Sequence, residues 1–253
     1  SKIPVICNIV PNGDLSCIDL YRAGGIPAVL KTIEGSIDTS VMTITGRTLS
    51  ENLARDIKCD HSVIRFQNDK ESFTNGIQVL YGNLAPDGAL VKTSAVPRNQ
   101  HKFIGHARVF NSEEEAFAAF RKETIEPGTA IVVRYEGPKG GPGMKELHRI
   151  TEIMKGVVNS AVITDGRFSG ASGGLSVGYI CPEAAEGGPI GLIKDNDIIH
   201  IDLDKGLIEF QVDLDEIRTR KALWKPIIHN DGGGVLHRYA EHVGCCKNGA
   251  ILG

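Results

Sequence analysis

Beyond residue 70 the sequence consists of short β-branched runs, most of them bounded by loops rich in glycine and proline, and this alternation restricts the folds open to the chain. Such runs predict short strands. The predicted strands include IQVLYG, GALVKTSAV, HARVF, TAIVVRY, SAVITDG, IGLI and DIIHIDL. Helices are predicted in NSEEEAFAAFRK, capped by Ser112, in MKELHRITEIM, and over about 213–224 and 234–242. Many short strands with interspersed helices indicate a β-barrel or sandwich with helical decoration.

The first 70 residues follow a different pattern. IPVICNIV, residues 3–10, predicts a buried strand, and a helix in LSCIDLYRA ends at Gly24. Pro27 suits the first turn of a second helix, and Thr48 with Glu51 forms a possible capping box. Residues 55–76 are polar and show no periodicity. We therefore predict an α/β segment over residues 1–70 and a β-barrel domain over residues 71–253.

Charge and cysteine content exclude several functional classes. The formal net charge of −3 and the pI near 6.2 argue against a nucleic-acid or anionic-membrane partner. No apolar run approaches the roughly 18–20 residues of a membrane helix. The six cysteines include no CxxC, so the spacing favours reduced cytosolic thiols over a zinc ribbon or a disulfide framework.

The loop RYEGPKGGPGMKE, residues 134–146, follows a β-branched run and places Glu136 among glycines and prolines. A carboxylate beside such a rigid, open loop suits a hard cation such as Mg²⁺, which prefers oxygen ligands. A Gly/Pro turn with a solvated glutamate would have the same sequence. The residues alone leave both interpretations open.

The loop ITDGRFSGASGG, residues 163–174, holds four glycines and two serines directly after a predicted strand. Backbone N–H groups around Ser172 would stabilise an anion or a serine alkoxide, although no activating base is adjacent. From the residues alone, a hydroxyl that bonds to its own turn is the favoured alternative for Ser172, and the same two interpretations apply to Ser169. The guanidinium of Arg167 could bind a carboxylate or phosphate group of a ligand through two hydrogen bonds. A structural ion pair with Asp165 is the favoured alternative.

A third loop, GNLAPDGALVK, ends at Lys92. This lysine would either face a site or lie on an edge strand, and the edge strand is favoured. The sequence has no GxGxxG between a strand and a helix, and no GKS or GKT, so neither a dinucleotide nor a phosphate loop is predicted.

Six motifs in order resemble the dihydroxy-acid and 6-phosphogluconate dehydratase family over essentially the whole chain. They are VPNGD…RAGGIPAVL, TGRTLSENL, GNLAPDGALVK, RYEGPKGGPGM, ITDGRFSGASGG and PEAAEGGPIGLI. The resemblance implies a hydro-lyase that converts a 2,3-dihydroxy acid to a 2-keto acid with Mg²⁺ and an iron–sulfur cluster. It also implies that the barrel is similar to the swivelling domain of aconitase.

The same resemblance assigns roles to individual residues. Glu136 is expected to bind Mg²⁺, and Ser172 is expected to take the proton from C2 as an alkoxide. Arg167, Ser169 and Gly170 are expected to contact substrate. No cysteine of this chain lies on a cluster motif of the family, so the cluster ligands are expected in an N-terminal part that precedes these residues. The chain is thus expected to be the C-terminal part of a dehydratase and inactive alone.

The resemblance leaves the substrate open between two branches. It favours the dihydroxy acids of branched-chain amino-acid biosynthesis over a sugar acid such as 6-phosphogluconate or an aldonate. A non-catalytic barrel fragment is the competing interpretation. The resemblance further implies a homodimer in the cytoplasm, or in an organelle of a eukaryote.

Overall fold

The structure, a computed structural model, describes residues 5–10, 13–66, 76–154, 157–170, 172–227 and 233–253. The chain divides into two units, residues 1–76 and residues 77–253.

The first unit is built around three short helices, α1 (Cys17–Arg22), α2 (Gly25–Thr32) and α3 (Leu49–Leu53). Thr48 and Glu51 form the predicted capping box at α3, with both reciprocal hydrogen bonds present. The helices bury a small apolar cluster that includes Leu20, Ala28 and Ile64. The predicted strand over residues 3–10 is wrong for its described part, since residues 5–10 form only single bridges.

The second unit contains one eight-stranded mixed sheet. Its strands are β1 (Gln78–Leu80), β2 (Gly88–Val91), β3 (Lys102–Phe110), β4 (Thr129–Val133), β5 (Ala161–Thr164), β6 (Leu175–Cys181), β7 (Ile198–Asp202) and β8 (Leu207–Gln211). The spatial order is β1-β2-β6-β5-β4-β3-β7-β8. The four central strands, β6, β5, β4 and β3, are parallel, and the flanking pairs are antiparallel.

The two ends of this sheet meet, so the sheet is nearly closed into a barrel. Tyr81 N donates to Gly206 O at 2.8 Å, and Ile208 N donates to Tyr81 O at 2.9 Å. Gly82 permits this approach, because a Cβ there would lie 2.0 Å from the Ile208 carbonyl oxygen. The prediction of a strand-rich barrel with helices is confirmed.

The central strands are buried on both faces. On β4, Ala130 and Val132 point into the barrel core, while Ile131 and Val133 pack in a second cluster with residues of the helices outside. The second unit's helices are α4 (Glu113–Phe120), α5 (Arg149–Ile153), α6 (Leu214–Leu223) and α7 (Gly234–His242). Parallel strands covered by helices read as continuous apolar runs, as TAIVV and AVIT do here.

Some element predictions are wrong in detail. IGLI lies in a 3-10 helix, Pro189–Leu192, because a short apolar run does not by itself distinguish a strand from a buried turn. The helix predicted in MKELHRITEIM begins only at Arg149, since Glu146 pairs with Arg167 as an isolated bridge. Strands β6 and β8 were not predicted. Within the described residues, no helix combines the length and apolarity needed to cross a membrane.

Candidate active site

The four parallel strands bring a row of acidic residues to one end of the barrel. Glu113 follows β3, Glu136 follows β4, Asp165 follows β5 and Glu183 follows β6. All four are at least 96% buried. The carboxyl ends of parallel strands lie at the same edge of a sheet, which is where ligand sites form in parallel α/β sheets.

Asp165 is the central member of this row. It is fully buried and accepts three backbone N–H groups, from Tyr135 at 3.1 Å, Glu136 at 3.0 Å and Ala184 at 2.8 Å. Burial raises the pKa of Asp165, while these hydrogen bonds oppose that rise. Asp165 therefore ties the segments after β4 and β6 to β5. The favoured ion pair between Asp165 and Arg167 is wrong.

Glu183 holds the glycine-rich loop after β4. Its carboxylate accepts N–H groups from Lys139 at 3.0 Å and Gly140 at 2.9 Å. Burial raises the pKa of Glu183 to about 7. Glu113 has a similar role at α5, where it accepts Arg149 N at 2.7 Å. Sequence reasoning missed both residues, although each directly follows a strand or its short turn.

Glu136, the predicted Mg²⁺ ligand, is 3% exposed. One oxygen accepts Glu113 N at 2.8 Å and lies 3.6 Å from Lys145 Nζ. Burial raises the pKa of Glu136. The side chain lines a pocket of about 220 Å³ together with Lys145, Glu114 and the loop glycines. Its role as a ligand stays a prediction.

Arg167 and Glu146 join the two glycine-rich loops. Arg167 Nη1 donates to Glu146 Oε1 at 3.1 Å, and Arg167 Nε donates to Met144 O at 2.6 Å. Leu147 N donates to Arg167 O at 2.9 Å. The Glu146 side chain is 44% exposed. An accessible carboxylate thus lies beside the serine loop, at a residue that the sequence analysis did not select.

Ser172 lies in a different pocket, of about 330 Å³, and no described residue lines both this pocket and the Glu136 pocket. The residue is 8% exposed, and its Oγ is buried without a hydrogen-bond partner among the described residues. Buried hydroxyls are nearly always hydrogen-bonded, so an unsatisfied one is a candidate functional group. Ser169 and Gly170, predicted to contact substrate, line the same pocket, whereas Arg167 does not.

Lys92 also lines the Ser172 pocket. It directly follows β2, which lies between β1 and β6. The favoured interpretation of an edge-strand lysine is therefore wrong. Lys92 Nζ donates to the carbonyl oxygen of Gly170, within the serine loop. Burial lowers the pKa of Lys92.

The described residues do not form a complete metal site. Across these ranges no three His, Cys, Asp or Glu side chains converge on a point that suits a metal ion. Cys181 Sγ lies 2.7 Å from Cys245 Sγ, and burial raises the pKa of Cys181 to about 12. Such protonated thiols are poor ligands until they ionise. The described residues thus offer individual ligands and no complete set.

Comparison with known proteins places this arrangement in a family. A sequence model described as dihydroxy-acid/6-phosphogluconate dehydratase C-terminal matches residues 62–250, and the corresponding N-terminal model matches residues 1–52. The dihydroxy-acid dehydratases of Moorella thermoacetica, Ignicoccus hospitalis and Methanoregula boonei are each 46% identical to the chain over 99% of it. The chain covers 46% of each, so it spans about half the length of these curated relatives. With both models matched and this identity, the chain belongs to the dihydroxy-acid/6-phosphogluconate dehydratase family.

Proposed function

We propose that this chain supplies the proton-accepting serine for the dehydration of a 2,3-dihydroxy acid to a 2-keto acid. The curated relatives cited above are named dihydroxy-acid dehydratase, which favours the branch of branched-chain amino-acid biosynthesis over a sugar acid. The observation that carries the proposal is the buried Ser172 hydroxyl, which has no protein partner among the described residues and borders a pocket.

The chemistry assigned to Ser172 is proton abstraction. Its alkoxide takes the C2 hydrogen as a proton, and the electron pair of that C–H bond forms the C2=C3 double bond. The 3-hydroxyl leaves with its own bonding pair and, after taking up a proton, departs as water. The resulting enol then tautomerises to the 2-keto acid. A positioned general base typically contributes about 10²–10⁴-fold to such a step.

The shape of the serine loop supports this role. Ser172 N donates to Ser169 O at 3.1 Å, and the Ser172 residue is 8% exposed. Apart from the residues adjacent to each in the chain, no described residue has an atom within 4 Å of the position that a Cβ would occupy on Gly170, Gly173 or Gly174. A substrate can therefore approach the backbone here without meeting side chains.

The Mg²⁺ ion and the iron–sulfur cluster remain part of the proposal. The described residues do not form a complete set of ligands for either group, so this chain would add single ligands to sites that other residues build. For Mg²⁺, Glu146 suits this role better than the expected Glu136. Glu146 is accessible and adjacent to the serine loop, whereas Glu136 is 3% exposed and near Lys145.

Matched variants separate these two carboxylates. Substitution of a residue that only supports a metal ligand typically lowers metal affinity by about 10–100-fold, and loss of a direct ligand should cost at least as much. Glu146→Gln should therefore raise the Mg²⁺ concentration for half-maximal activity by roughly tenfold or more. Glu136→Gln should chiefly lower the thermal stability. The reverse pattern would return the ligand role to Glu136.

The experiment that tests the proposed function uses the complete natural polypeptide that contains this sequence, reconstituted anaerobically with iron and sulfide. Ser172→Ala should lose about 10²–10⁴-fold in 2-keto acid formation from 2,3-dihydroxyisovalerate, with an unchanged circular dichroism spectrum. Ser50→Ala, at an exposed serine of α3 that does not line this pocket, is the control. Full activity of Ser172→Ala would overturn the proposal. Preference for 6-phosphogluconate would select the sugar-acid branch.

The family resemblance also supports three less specific proposals. We expect a homodimer, a cytoplasmic location, and a likeness of the barrel to the swivelling domain of aconitase. The mixed eight-stranded sheet is consistent with that likeness. Analytical ultracentrifugation of the natural polypeptide tests the dimer, since a monomer at micromolar concentration would exclude it.

A further inference from the structure

Ser172 has a cation in its pocket but no acid. Lys92 lines this pocket, and Tyr179 of β6 is its other titratable lining residue. No aspartate or glutamate is among the described residues that line it. Arg167 lies on the serine loop, but its guanidinium is paired with Glu146 and is not part of the lining. The charge in contact with this pocket is therefore that of Lys92.

Two hydrogen bonds attach the segment after β2 to the serine loop on both sides of Ser172. Lys92 Nζ donates to Gly170 O, two residues before Ser172. Gly174 N, two residues after Ser172, donates to Ala95 O at 3.2 Å. The position of Lys92 relative to Ser172 is thus set by the fold and does not depend on a flexible side chain alone.

Lys92 has no acidic partner in the part of the chain that the structure describes. Among the described residues it forms no ion pair, and its ammonium group donates to a neutral acceptor, the carbonyl oxygen of Gly170. Lysines at protein surfaces are usually solvated or paired with carboxylates, and this one is neither fully solvated nor paired. A partly buried, unpaired ammonium favours the ionised form of an acidic group placed near it.

We propose that Lys92 is a positioning residue for the base, and that its ammonium group favours ionisation of the Ser172 hydroxyl. In this step the O–H bond of Ser172 breaks, the proton goes to solvent water and the electron pair stays on Oγ. The N–H bonds of Lys92 remain intact, so Lys92 stabilises the alkoxide without taking the proton. This inference rests on the proposed role of Ser172 as the base.

Two substitutions separate the charge of Lys92 from its hydrogen bond. Lys92→Gln keeps a donor for Gly170 O but removes the charge, whereas Lys92→Arg keeps the charge. Lys122→Met, at an exposed lysine after α4, is the control for general loss of positive charge. Circular dichroism confirms folding, and Lys92→Met provides a second neutral variant if Lys92→Gln does not fold.

The readout is the reactivity of the Ser172 hydroxyl, which is independent of turnover. The complete natural polypeptide that contains this sequence is treated with phenylmethanesulfonyl fluoride between about pH 6 and 10, and the modified residue is identified by peptide mass mapping with Ser172→Ala as reference. In the unaltered chain the labelling rate should rise with pH as Ser172 ionises. A nearby opposite charge typically moves a pKa by about 1–3 units, so Lys92→Gln should label roughly 10- to 1,000-fold more slowly at a fixed pH. Lys92→Arg should stay within about threefold of the unaltered chain.

Two results would overturn the inference about Lys92. One is an unchanged pH dependence of labelling in Lys92→Gln, and the other is the absence of Ser172 labelling up to about pH 10. Failure of the proposed function is a different result. In that case the natural polypeptide forms no 2-keto acid, or Ser172→Ala stays active, while labelling of Ser172 still depends on the charge of residue 92.

Discussion

Glu183 allows a direct test of how burial changes the pKa of the four acidic residues at the end of the barrel. Its carboxylate is 3% exposed and hydrogen-bonded to the backbone of Lys139 and Gly140. Burial raises its pKa from the ordinary value of 4.5 to about 7. Because one pKa unit corresponds to about 1.36 kcal/mol, the ionised carboxylate costs the folded state about 3 kcal/mol relative to the protonated one.

The sign of the pH dependence follows from which state holds the proton. Between pH 4.5 and about 7 the folded chain still binds the proton of Glu183, whereas the unfolded chain has released it. The free energy of unfolding should therefore fall as the pH rises through this window, and level off above about pH 7. Below pH 4.5 both states are protonated, and the contribution of Glu183 is fully present.

Glu183→Gln removes this titration while keeping the size of the side chain. Its amide oxygen still accepts a hydrogen bond from Lys139 or Gly140, and the variant is neutral at every pH. The difference in free energy of unfolding, variant minus unaltered chain, should move in favour of the variant by about 2–3 kcal/mol between pH 5 and pH 8. Other buried carboxylates, Glu136 and Asp165 among them, titrate in both proteins and largely cancel in this difference.

Urea unfolding at pH 5, 6, 7 and 8 measures this difference. Trp224, the single tryptophan, packs beside Gly187 and Gly191 and reports on the segment that follows Glu183. Glu126→Gln, at an exposed glutamate, is the control for the same substitution outside the barrel interior. If the difference in free energy of unfolding between Glu183→Gln and the unaltered chain stayed constant within about 0.5 kcal/mol from pH 5 to 8, burial would not be the main influence on the pKa of Glu183.

Three further predictions concern the frame around the site. Asp165→Asn should lower the free energy of unfolding by about 3 kcal/mol, because the amide group cannot accept hydrogen bonds from all three buried backbone N–H groups. Urea titrations measure this loss, and a value below about 1 kcal/mol would contradict the prediction. Gly105→Ala should lower the thermal unfolding midpoint by several degrees, since a Cβ there would lie 2.2 Å from Gly128 O. Calorimetry measures the midpoint, and an unchanged value would mean that the backbone shifts to accommodate the Cβ at no cost. Diamide should link Cys181 to Cys245, whose sulfurs lie 2.7 Å apart, and non-reducing peptide mapping that finds another linkage would disprove their pairing.

The local elements of this protein follow from the sequence to a large extent. The capping box of Thr48 and Glu51, the helix over Gly234–His242 and most strands of the barrel are predicted from residue type and spacing. These features depend on interactions within a few residues, such as a side chain that caps its own helix. IGLI failed because the same short apolar run suits a buried strand and a buried turn equally.

The motif order of the chain also determined its family, since the six motifs and the two matching family models agree. The motifs did not determine the surroundings of each residue. Ser172 and Glu136 lie on neighbouring loops in the sequence pattern, yet they line separate pockets. Whether each carries its expected role stays a prediction.

Only the tertiary structure decided which side chains meet. The strand order places β2 beside β6, so that Lys92 reaches the loop of Ser172 from almost 80 residues away. The same order aligns four carboxylates at one end of the barrel and pairs Arg167 with Glu146 instead of Asp165. Periodicity and capping record contacts within one element, whereas neighbours across a sheet depend on strand order and register, which local sequence does not encode.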